Sequence, residues 1–329
     1  MPINRDLLNQ YMADKLHTGE HIGLSLAVIE NHDTEFLNYG VTTYGGRAPM
    51  SQNAFYEMAS VGKVFTSLLV LRLMQEGNLS LDLPVQEVIP EISRDHRLSV
   101  KDLLSHTSGL SNHPMNFVLR APENSYISYD EKMLLEALAI LPPLRERGRF
   151  SYSSFGYLIL GLLVRRIRKD ASFEALLQDK VLNPLGTDDI VFQLNPAQQG
   201  RICVGHSPEK VPVAPYGDLG EVYLAAGALK GTVAGMAEFV KVMLGCRSAD
   251  STLRQTMERS LSVEADTEGA LISPTCHVRQ INGHRTYYHS GSLAGNKSTV
   301  LIAPDLNRGL VYFSNTLQHV QPIWDVFLA

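Results

Sequence analysis

The chain has 329 residues, which at about 150 residues per domain corresponds to roughly two domains and a large buried core. Hydrophobic residues make up 44% of it and charged residues 19%, which excludes disordered and fibrous classes of protein. The net charge of −5 provides no basic surface for nucleic acid or an anionic membrane, so a small-molecule partner is expected.

The cysteines and the N-terminus bear on further classes of protein and site. Cys203, Cys246 and Cys276 are odd in number, far apart and without a C-x-x-C motif, so neither a disulfide framework nor a zinc site is predicted. Charges occupy the positions where a signal peptide would be apolar, and no segment approaches the ~18 apolar residues of a membrane span. We therefore expect no metal or other cofactor, no membrane partner and, if Met1 is the native start, a cytoplasmic location; the oligomeric state stays open.

The first 76 residues contain both strand and helix patterns. Apolar residues recur at helical spacing over 4–17, which predicts an amphipathic helix. Alternation over 22–28, a polar turn and the segment 34–39 then predict a hairpin. Residues 60–76 are apolar almost all round and stop at Gly77, as is typical of a helix buried within a domain.

The pattern is helical from about residue 83 to 262 and returns to strands from about 270. The predicted helices of the middle region cover 99–104, 130–140, 154–168, 172–182 and 232–244. Asn282-Gly283 is a strong turn signal and joins the predicted strands 276–281 and 284–289 in a hairpin. Further strands are predicted over 297–303 and 310–313, followed by a C-terminal helix from about 318.

Strands at both ends with helices between them predict an α+β fold. An antiparallel sheet would form from both termini, flanked by helices, and an all-helical domain would be inserted into it. The expected boundaries are 1–82 with 263–329 for the discontinuous sheet domain and 83–262 for the helical insert. A cleft between the two parts is the expected place for chemistry.

The first candidate for chemistry is an S-x-x-K motif at the start of the most apolar helix. Ser60 and Lys63 would lie one helical turn apart on one face, so the amine can reach the hydroxyl. Burial is expected to lower the pKa of Lys63, which would let it act as a base, and the helix N-terminus favours an oxyanion. A second copy, Ser207 to Lys210, lies in a proline-rich loop that cannot be a helix interior, so the first copy is the candidate.

Two further segments are candidates for the same site when they are considered together with the S-x-x-K motif. Tyr152 precedes an apolar helix and could present its phenol to a cleft, or it could simply be an aromatic residue beside an N-cap. The segment 288–292 ends a strand, where Gly291 permits close backbone approach and the N–H of Ser292 could point at a carbonyl oxygen. Its plain alternative is a strand-to-loop transition.

Taken together, the three motifs resemble the serine β-lactamase and penicillin-recognising family, in particular its class C-like branch with family VIII esterases and D-aminopeptidases. They occur in the family's order: Ser60-x-x-Lys63, then Tyr152-Ser153-Ser154 at the Tyr-x-Asn position, then His289-Ser290-Gly291 at the Lys-Thr-Gly position. The resemblance runs from about Phe55 to Asn315 and implies a β-lactamase/transpeptidase-like fold.

The resemblance also implies a role for each matching residue. Ser60 is expected to be the acylated nucleophile, and Lys63 and Tyr152 to share its activation, with the identity of the base left open. The backbone N–H groups of Ser60 and Ser292 would form the oxyanion hole. The side of the cleft that contacts substrate would consist of Ser154, His289, Ser290 and Gly291.

Two departures from the family pattern bear on the substrate. Ser154 replaces an Asn that can hydrogen-bond a substrate amide, and His289 replaces a Lys with an imidazole that is only partly charged near pH 7. Both favour a serine hydrolase for small carboxylic esters over one for β-lactams. A D-aminopeptidase or amidase, a β-lactamase-type hydrolase, an acyltransferase and a non-turnover binding or sensor protein remain as alternatives.

Several other residues have weaker interpretations. His106 belongs to a segment that resembles a turn supporting the site. Tyr216 and Tyr223 flank a proline-rich stretch and are candidates to line the cleft. His17 and His21 have i, i+4 spacing but no third ligand, and we expect them to face solvent.

Overall fold

Both ends of the chain contribute to one antiparallel sheet, as predicted. The computed structural model describes residues 3, 5–117, 125–144, 146–262, 265–267, 270–317, 323–324 and 327–328. Within them the sheet has eight strands in the order β2-β1-β13-β12-β11-β10-β9-β8. Its strands are β1 Gly23–Glu30, β2 Asp33–Gly40, β8 Ala265–Thr267, β9 Ala270–Ile272, β10 His277–Ile281, β11 His284–Leu293, β12 Asn296–Ala303 and β13 Arg308–Ser314.

The central strands of this sheet are covered on both faces. β12 and β13 are buried along their whole length, and β1 is buried at every residue but the last. One face packs against helix α1, Arg5–His17, and against Trp324 and Phe327 near the C-terminus. Strands buried on both faces are apolar almost throughout instead of strictly alternating, which matches the sequence of β12 and β13.

The helices of the described residues lie between and around the strands. After α1 they are α2 Gly62–Gln75, α3 Val100–Leu104, α4 Ser125–Ser128, α5 Glu131–Ala139, α6 Ser154–Ile167, α7 Phe173–Leu177, α8 Asn183–Leu185, α9 Pro196–Gln199, α10 Leu224–Gly227, α11 Val233–Met243 and α12 Ser251–Ser260. The predicted helices over 4–17, 99–104, 130–140, 154–168 and 232–244 are confirmed. The predicted helix over 172–182 continues α7 as a π-helical turn, and the C-terminal helix from 318 lies largely outside the described residues.

Side-chain caps explain where these helices begin. Ser99 and Asp102 form a reciprocal capping box at α3, and Asp130 accepts a hydrogen bond from the third residue of α5. Ser153 caps α6 and Thr232 caps α11 in the same way. Each cap satisfies a backbone N–H that the helix itself leaves without a partner.

The apolar helix predicted over 60–76 begins differently from the prediction. A 3₁₀ turn, Ala59–Val61, precedes α2, so Ser60 lies in this turn and not in the first turn of the α-helix. Ala59 has a φ of +48°, an uncommon value for a residue with a side chain. The chain therefore bends sharply immediately before Ser60.

Other differences involve contacts between segments far apart in sequence. A second sheet, not predicted, joins β3 Phe55–Glu57, β7 Lys230–Thr232 and β4 Ile190–Val191. The expectation for His21 is wrong, because its ring is buried and contacts the hydroxyls of Ser314 and Thr316 at 3.1 and 3.0 Å. The domain boundaries stay a prediction, although α11, inside the predicted insert, packs against β1 and β13.

Glu57 at the end of β3 is a buried carboxyl that holds the loop over 214–220. Its side chain accepts a hydrogen bond from the backbone N–H of Gly217 at 2.9 Å, and Lys230 lies directly opposite it on β7. Desolvation raises the pKa of Glu57 to about 6, against the opposing effects of the Gly217 N–H and the charge of Lys230. The neutral form of this carboxyl is thus more favoured in the folded protein than in the unfolded chain.

This raised pKa predicts a pH-dependent stability. The folded state binds the Glu57 proton more tightly than the unfolded state, so this contribution is fully present below about pH 4.5 and is lost as the pH rises through about 6. The loss is about 2 kcal/mol for a shift of this size. Urea unfolding at intervals from pH 4 to 8 would show the decline in wild type but not in Glu57→Gln, which keeps an oxygen for Gly217. Equal slopes in both proteins would contradict it.

Candidate active site

A cleft of about 170 Å³ contains the residues that the first sequence motif singled out. Its lining comes from the 3₁₀ turn, α2, α4, α6, α10, β11 and the loops between them. The lining residues are Ala59, Ser60, Lys63, Asn112, His113, Tyr126, Tyr152, Ser154, Leu219, Tyr223, Ala226, Gly227, Ser292 and Leu293. A larger groove of about 480 Å³ around Arg94 and Arg97 has charged side chains at five of its nine lining positions and contains no Ser–Lys pair.

Ser60 and Lys63 are in direct contact. The Lys63 amine donates to Ser60 Oγ at 3.2 Å and to the carbonyl oxygen of Ala226 at 2.6 Å. Its Nζ also lies over the rings of Tyr152 and Tyr157, 5.4 and 5.5 Å from their centroids. Lys63 is 1% exposed, and no carboxylate of the described residues pairs with it. The amine is therefore held in one position beside the hydroxyl.

The second S-x-x-K copy has none of this geometry. Ser207 donates to the carboxylate of Glu209, and Lys210 has a φ of +64° in a tight turn at the surface. The Lys210 amine lies over the ring of Tyr44 and does not reach Ser207. Helical context therefore separates the two copies, as the sequence indicated.

Tyr152 presents an unpaired phenol to the same cleft. Its OH is buried and has no hydrogen-bond partner among the described residues. The backbone on either side of it is fastened to His106, whose carbonyl accepts from Ser151 N and whose Nδ1 accepts from Ser153 N. The two rings lie 4.5 Å apart, so His106 positions Tyr152.

Ser154 begins α6 and lines the cleft beside a residue that the sequence reasoning missed. Its backbone N–H donates to Asn112 Oδ1 at 3.1 Å, and the N–H of Phe155 donates to the Asn112 carbonyl. The amide of Asn112 therefore lies next to the hydroxyl that replaces the family's Asn. Asn112 follows the Ser108-Gly109-Leu110 turn without any periodic pattern, so only its closeness to the matching motif could have suggested it.

Gly291 brings β11 against the backbone of the nucleophile. A Cβ at this position would be 2.4 Å from the Met58 carbonyl oxygen and 2.8 Å from Ser60 N, so only glycine fits. Ser292, the next residue, lines the cleft together with Ser60. The backbone segments that carry the two expected oxyanion N–H groups are thus adjacent.

Ser290, another predicted residue of β11, does not line the cleft. Ser290 Oγ contacts Thr299 Oγ1 on the neighbouring strand at 2.9 Å. Ser292 Oγ accepts a hydrogen bond at 3.1 Å from the amine of Lys297, which lies opposite it on β12. The sequence reasoning did not single out this lysine. Desolvation lowers the pKa of Lys297, which is 8% exposed.

His289 is buried behind Tyr152 and does not line the cleft. Its ring is 6.4 Å from that of Tyr152 and 5.5 Å from that of His277, and its Nδ1 faces the Ser290 carbonyl. Desolvation, followed by the influence of His277 and Lys63, lowers its pKa well below 6.5. The ring is therefore neutral near pH 7, unlike the partly charged group expected from the sequence.

The surrounding histidines are neutral for the same reason. Burial lowers the pKa of His277 to about 4 and that of His106 well below its ordinary value, and the charge of Lys63 lowers the latter further. His113, at the cleft itself, has its pKa lowered by burial and by Lys63. Lys63 is thus the one charged side chain among the described residues that line the cleft.

Two properties of the described part of the chain bear on other kinds of function. No cluster of three or more His, Cys, Asp or Glu side chains there could hold a metal ion. None of its helices is both long and apolar enough to cross a membrane. The cytoplasmic location stays a prediction.

Curated proteins similar to this chain are found at low sequence identity. Protein flp of Staphylococcus aureus (strain MRSA252) is 24% identical over an alignment of 308 residues that covers 91% of this chain and 60% of flp. The chain therefore spans about three fifths of the length of that relative. Penicillin-binding protein 4 of Amycolatopsis lactamdurans is 26% identical over 321 residues, covering 88% of this chain and 80% of that protein.

Solved structures with the same fold cover nearly the whole chain. The β-lactamase/D-alanine carboxypeptidase of Pseudomonas syringae superposes with a TM-score of 0.85 at 18% identity, and 98% of each chain is covered. This likeness confirms the β-lactamase/transpeptidase-like fold. The family model described as Beta-lactamase matches residues 5–323, and the chain therefore belongs to the Beta-lactamase family.

Proposed function

We propose that this member of the family is a serine hydrolase that acts on small carboxylic esters through an acyl-enzyme on Ser60. The observation that carries the proposal is the 3.2 Å contact of the Lys63 amine with Ser60 Oγ, inside a cleft that also presents the unpaired phenol of Tyr152. A hydroxyl with a basic group in hydrogen-bond contact is the arrangement that nucleophilic catalysis requires.

The geometry supports a definite sequence of steps. Ser60 Oγ attacks the ester carbonyl and loses its proton to the pair Lys63 and Tyr152, which reacts in the form that has given up one proton, either amine with phenol or ammonium with phenolate. The developing negative charge on the carbonyl oxygen is stabilised by the backbone N–H groups of Ser60 and Ser292. The alcohol leaves with a proton from the same pair, and water then attacks the acyl-enzyme by the reverse route.

The preference for esters is supported by the charge of the cleft. A peptide ending in a carboxylate, or a β-lactam with its acid group, would gain from a cation at the substrate side of β11. His289 is neutral and buried there. The amine of Lys297 donates a hydrogen bond to Ser292 Oγ, and Lys297 itself does not line the cleft. An uncharged ester makes no such demand.

A substrate panel tests the proposal. Wild-type protein is expected to hydrolyse a chromogenic acetate ester faster than a D-alanine anilide or a chromogenic β-lactam. Ser60→Ala and Lys63→Met should each lower kcat/KM for the ester by a factor on the order of 10³ or more, because nucleophile and proton acceptor are lost. Intact-mass spectrometry should find one acyl group on the wild-type protein and none on Ser60→Ala.

The second S-x-x-K copy offers matched controls for these variants. Ser207→Ala and Lys210→Met change the same residue types at a surface turn and are expected to retain wild-type rates. Wild-type protein without turnover or adduct would refute the enzyme proposal and favour a binding or sensor role. A faster rate on the β-lactam or the D-alanine anilide would refute the ester preference alone.

The pH profile tests the charge state of His289. Because its pKa lies well below 6.5, the ring gains no proton as the pH falls from 8 to 6. The ratio of kcat/KM for wild type and His289→Gln should therefore stay constant between pH 6 and 8, whatever its absolute value. A ratio that follows a single ionisation near pH 6.5 would show that His289 acts as a cation.

A further inference from the structure

Aromatic side chains form one wall of the cleft. The rings of Tyr126 and Tyr223 meet edge to face at 5.0 Å, and both line the cleft together with His113. Phe117 packs behind all three, with ring centroids 4.8 Å from His113, 5.3 Å from Tyr126 and 5.4 Å from Tyr223. We call His113, Tyr126 and Tyr223 the aromatic wall. Its rings support one another, so it is rigid before a ligand binds.

Polar atoms of this wall lack hydrogen-bond partners. The Tyr223 hydroxyl and Nδ1 of His113 are buried, and neither has a partner among the described residues. Tyr223 is 2% exposed, yet it borders the cleft that holds Ser60. A buried polar group without a partner is costly, so a ligand that hydrogen-bonds to it would be stabilised.

The wall is also uncharged. Burial raises the pKa of Tyr223 and lowers that of His113, so both are neutral in the ordinary pH range. A charged substituent placed against them would lose its hydration without gaining an opposite charge. An uncharged polar group meets no such penalty.

The volume of the cleft fits a single ring. It measures about 170 Å³, and an apolar cavity of about 150 Å³ in another protein accommodates benzene. Ring faces and edges offer an aromatic substrate favourable edge-to-face contacts that an alkyl chain does not make. The space therefore suits one aromatic ring attached to a reacting carbonyl.

We infer that the ester substrate carries an uncharged aromatic ring with a polar substituent, which packs on the aromatic wall and hydrogen-bonds the Tyr223 hydroxyl. This inference rests on the proposed function and specifies its substrate class. The ring can belong to the acid or to the alcohol part of the ester, and the two sources share the same recognition chemistry.

Two pairs of esters test the inference and separate the two sources. Methyl 4-hydroxybenzoate and methyl benzoate place the ring in the acid, whereas 4-hydroxyphenyl acetate and phenyl acetate place it in the alcohol. In the pair whose ring packs on the aromatic wall, the hydroxylated ester should have the higher kcat/KM by about tenfold, because its hydroxyl forms the hydrogen bond that the Tyr223 hydroxyl lacks. Tyr223→Phe should reduce that preference to about onefold, because only the hydroxylated ester loses a hydrogen bond.

Tyr216→Phe is the matched control. This tyrosine packs against Tyr126 at 5.4 Å but does not line the cleft, so the loss of its hydroxyl should leave the preference unchanged. An equal preference in wild type and Tyr223→Phe, or no preference in either pair, would overturn the inference.

Failure of the proposed function has a different signature. If wild-type protein hydrolyses none of the four esters, calorimetry of methyl 4-hydroxybenzoate and 4-hydroxyphenyl acetate with Ser60→Ala still measures recognition. About tenfold weaker binding of either ester after adding Tyr223→Phe would support the aromatic site without ester hydrolysis. No difference for both esters would overturn the inference as well.

Discussion

The burial of one lysine amine is the constraint on which the site depends. A cation at 1% exposure without a carboxylate partner among the described residues must recover its lost hydration from neutral groups. The structure supplies the Ala226 carbonyl, the Ser60 hydroxyl and two tyrosine ring faces within reach of a cation–π contact. Each of these partners therefore has a structural reason to remain in place besides its part in the proposed reaction.

The requirement extends into the surrounding backbone. α10 must turn its carbonyl groups toward α2, and it does so at Ala226 and also at Ala225, which accepts from Thr66 Oγ1. The two segments can approach this closely because Gly227 lies against Ala59 and Gly62, where a Cβ on Gly227 would be 2.8 Å from the Ala59 carbonyl. Burial is the main cause of the lowered pKa of His106, His113 and His289, and the charge of Lys63 lowers each of them further.

The sequence predicts those features of the structure that depend on residues close together in the chain. Strand alternation, the helical spacing of apolar residues and the Asn282-Gly283 turn are encoded by near neighbours, and they predict the sheet and most helices. The Ser60 to Lys63 spacing was equally local, although the 3₁₀ turn that holds Ser60 was not foreseen. Asn112 and Glu57 were missed because their partners, Ser154 and Gly217, come from other elements and show no periodicity.

The nucleophile's position is fixed by contacts between segments that lie far apart in the chain. Met58, two residues before Ser60, donates its N–H to Leu229 and accepts a hydrogen bond from the Ser298 hydroxyl on β12. Gly291 on β11 closes the same corner. β12 pairs with both β11 and β13, and β13 pairs with β1 from the other end of the chain, so the closeness of Ser60 and Ser292 depends on the assembled sheet. The strained φ of Ala59 can persist only because these segments hold it from three sides, so the assembled sheet and not the local sequence stabilises the bend that presents the nucleophile.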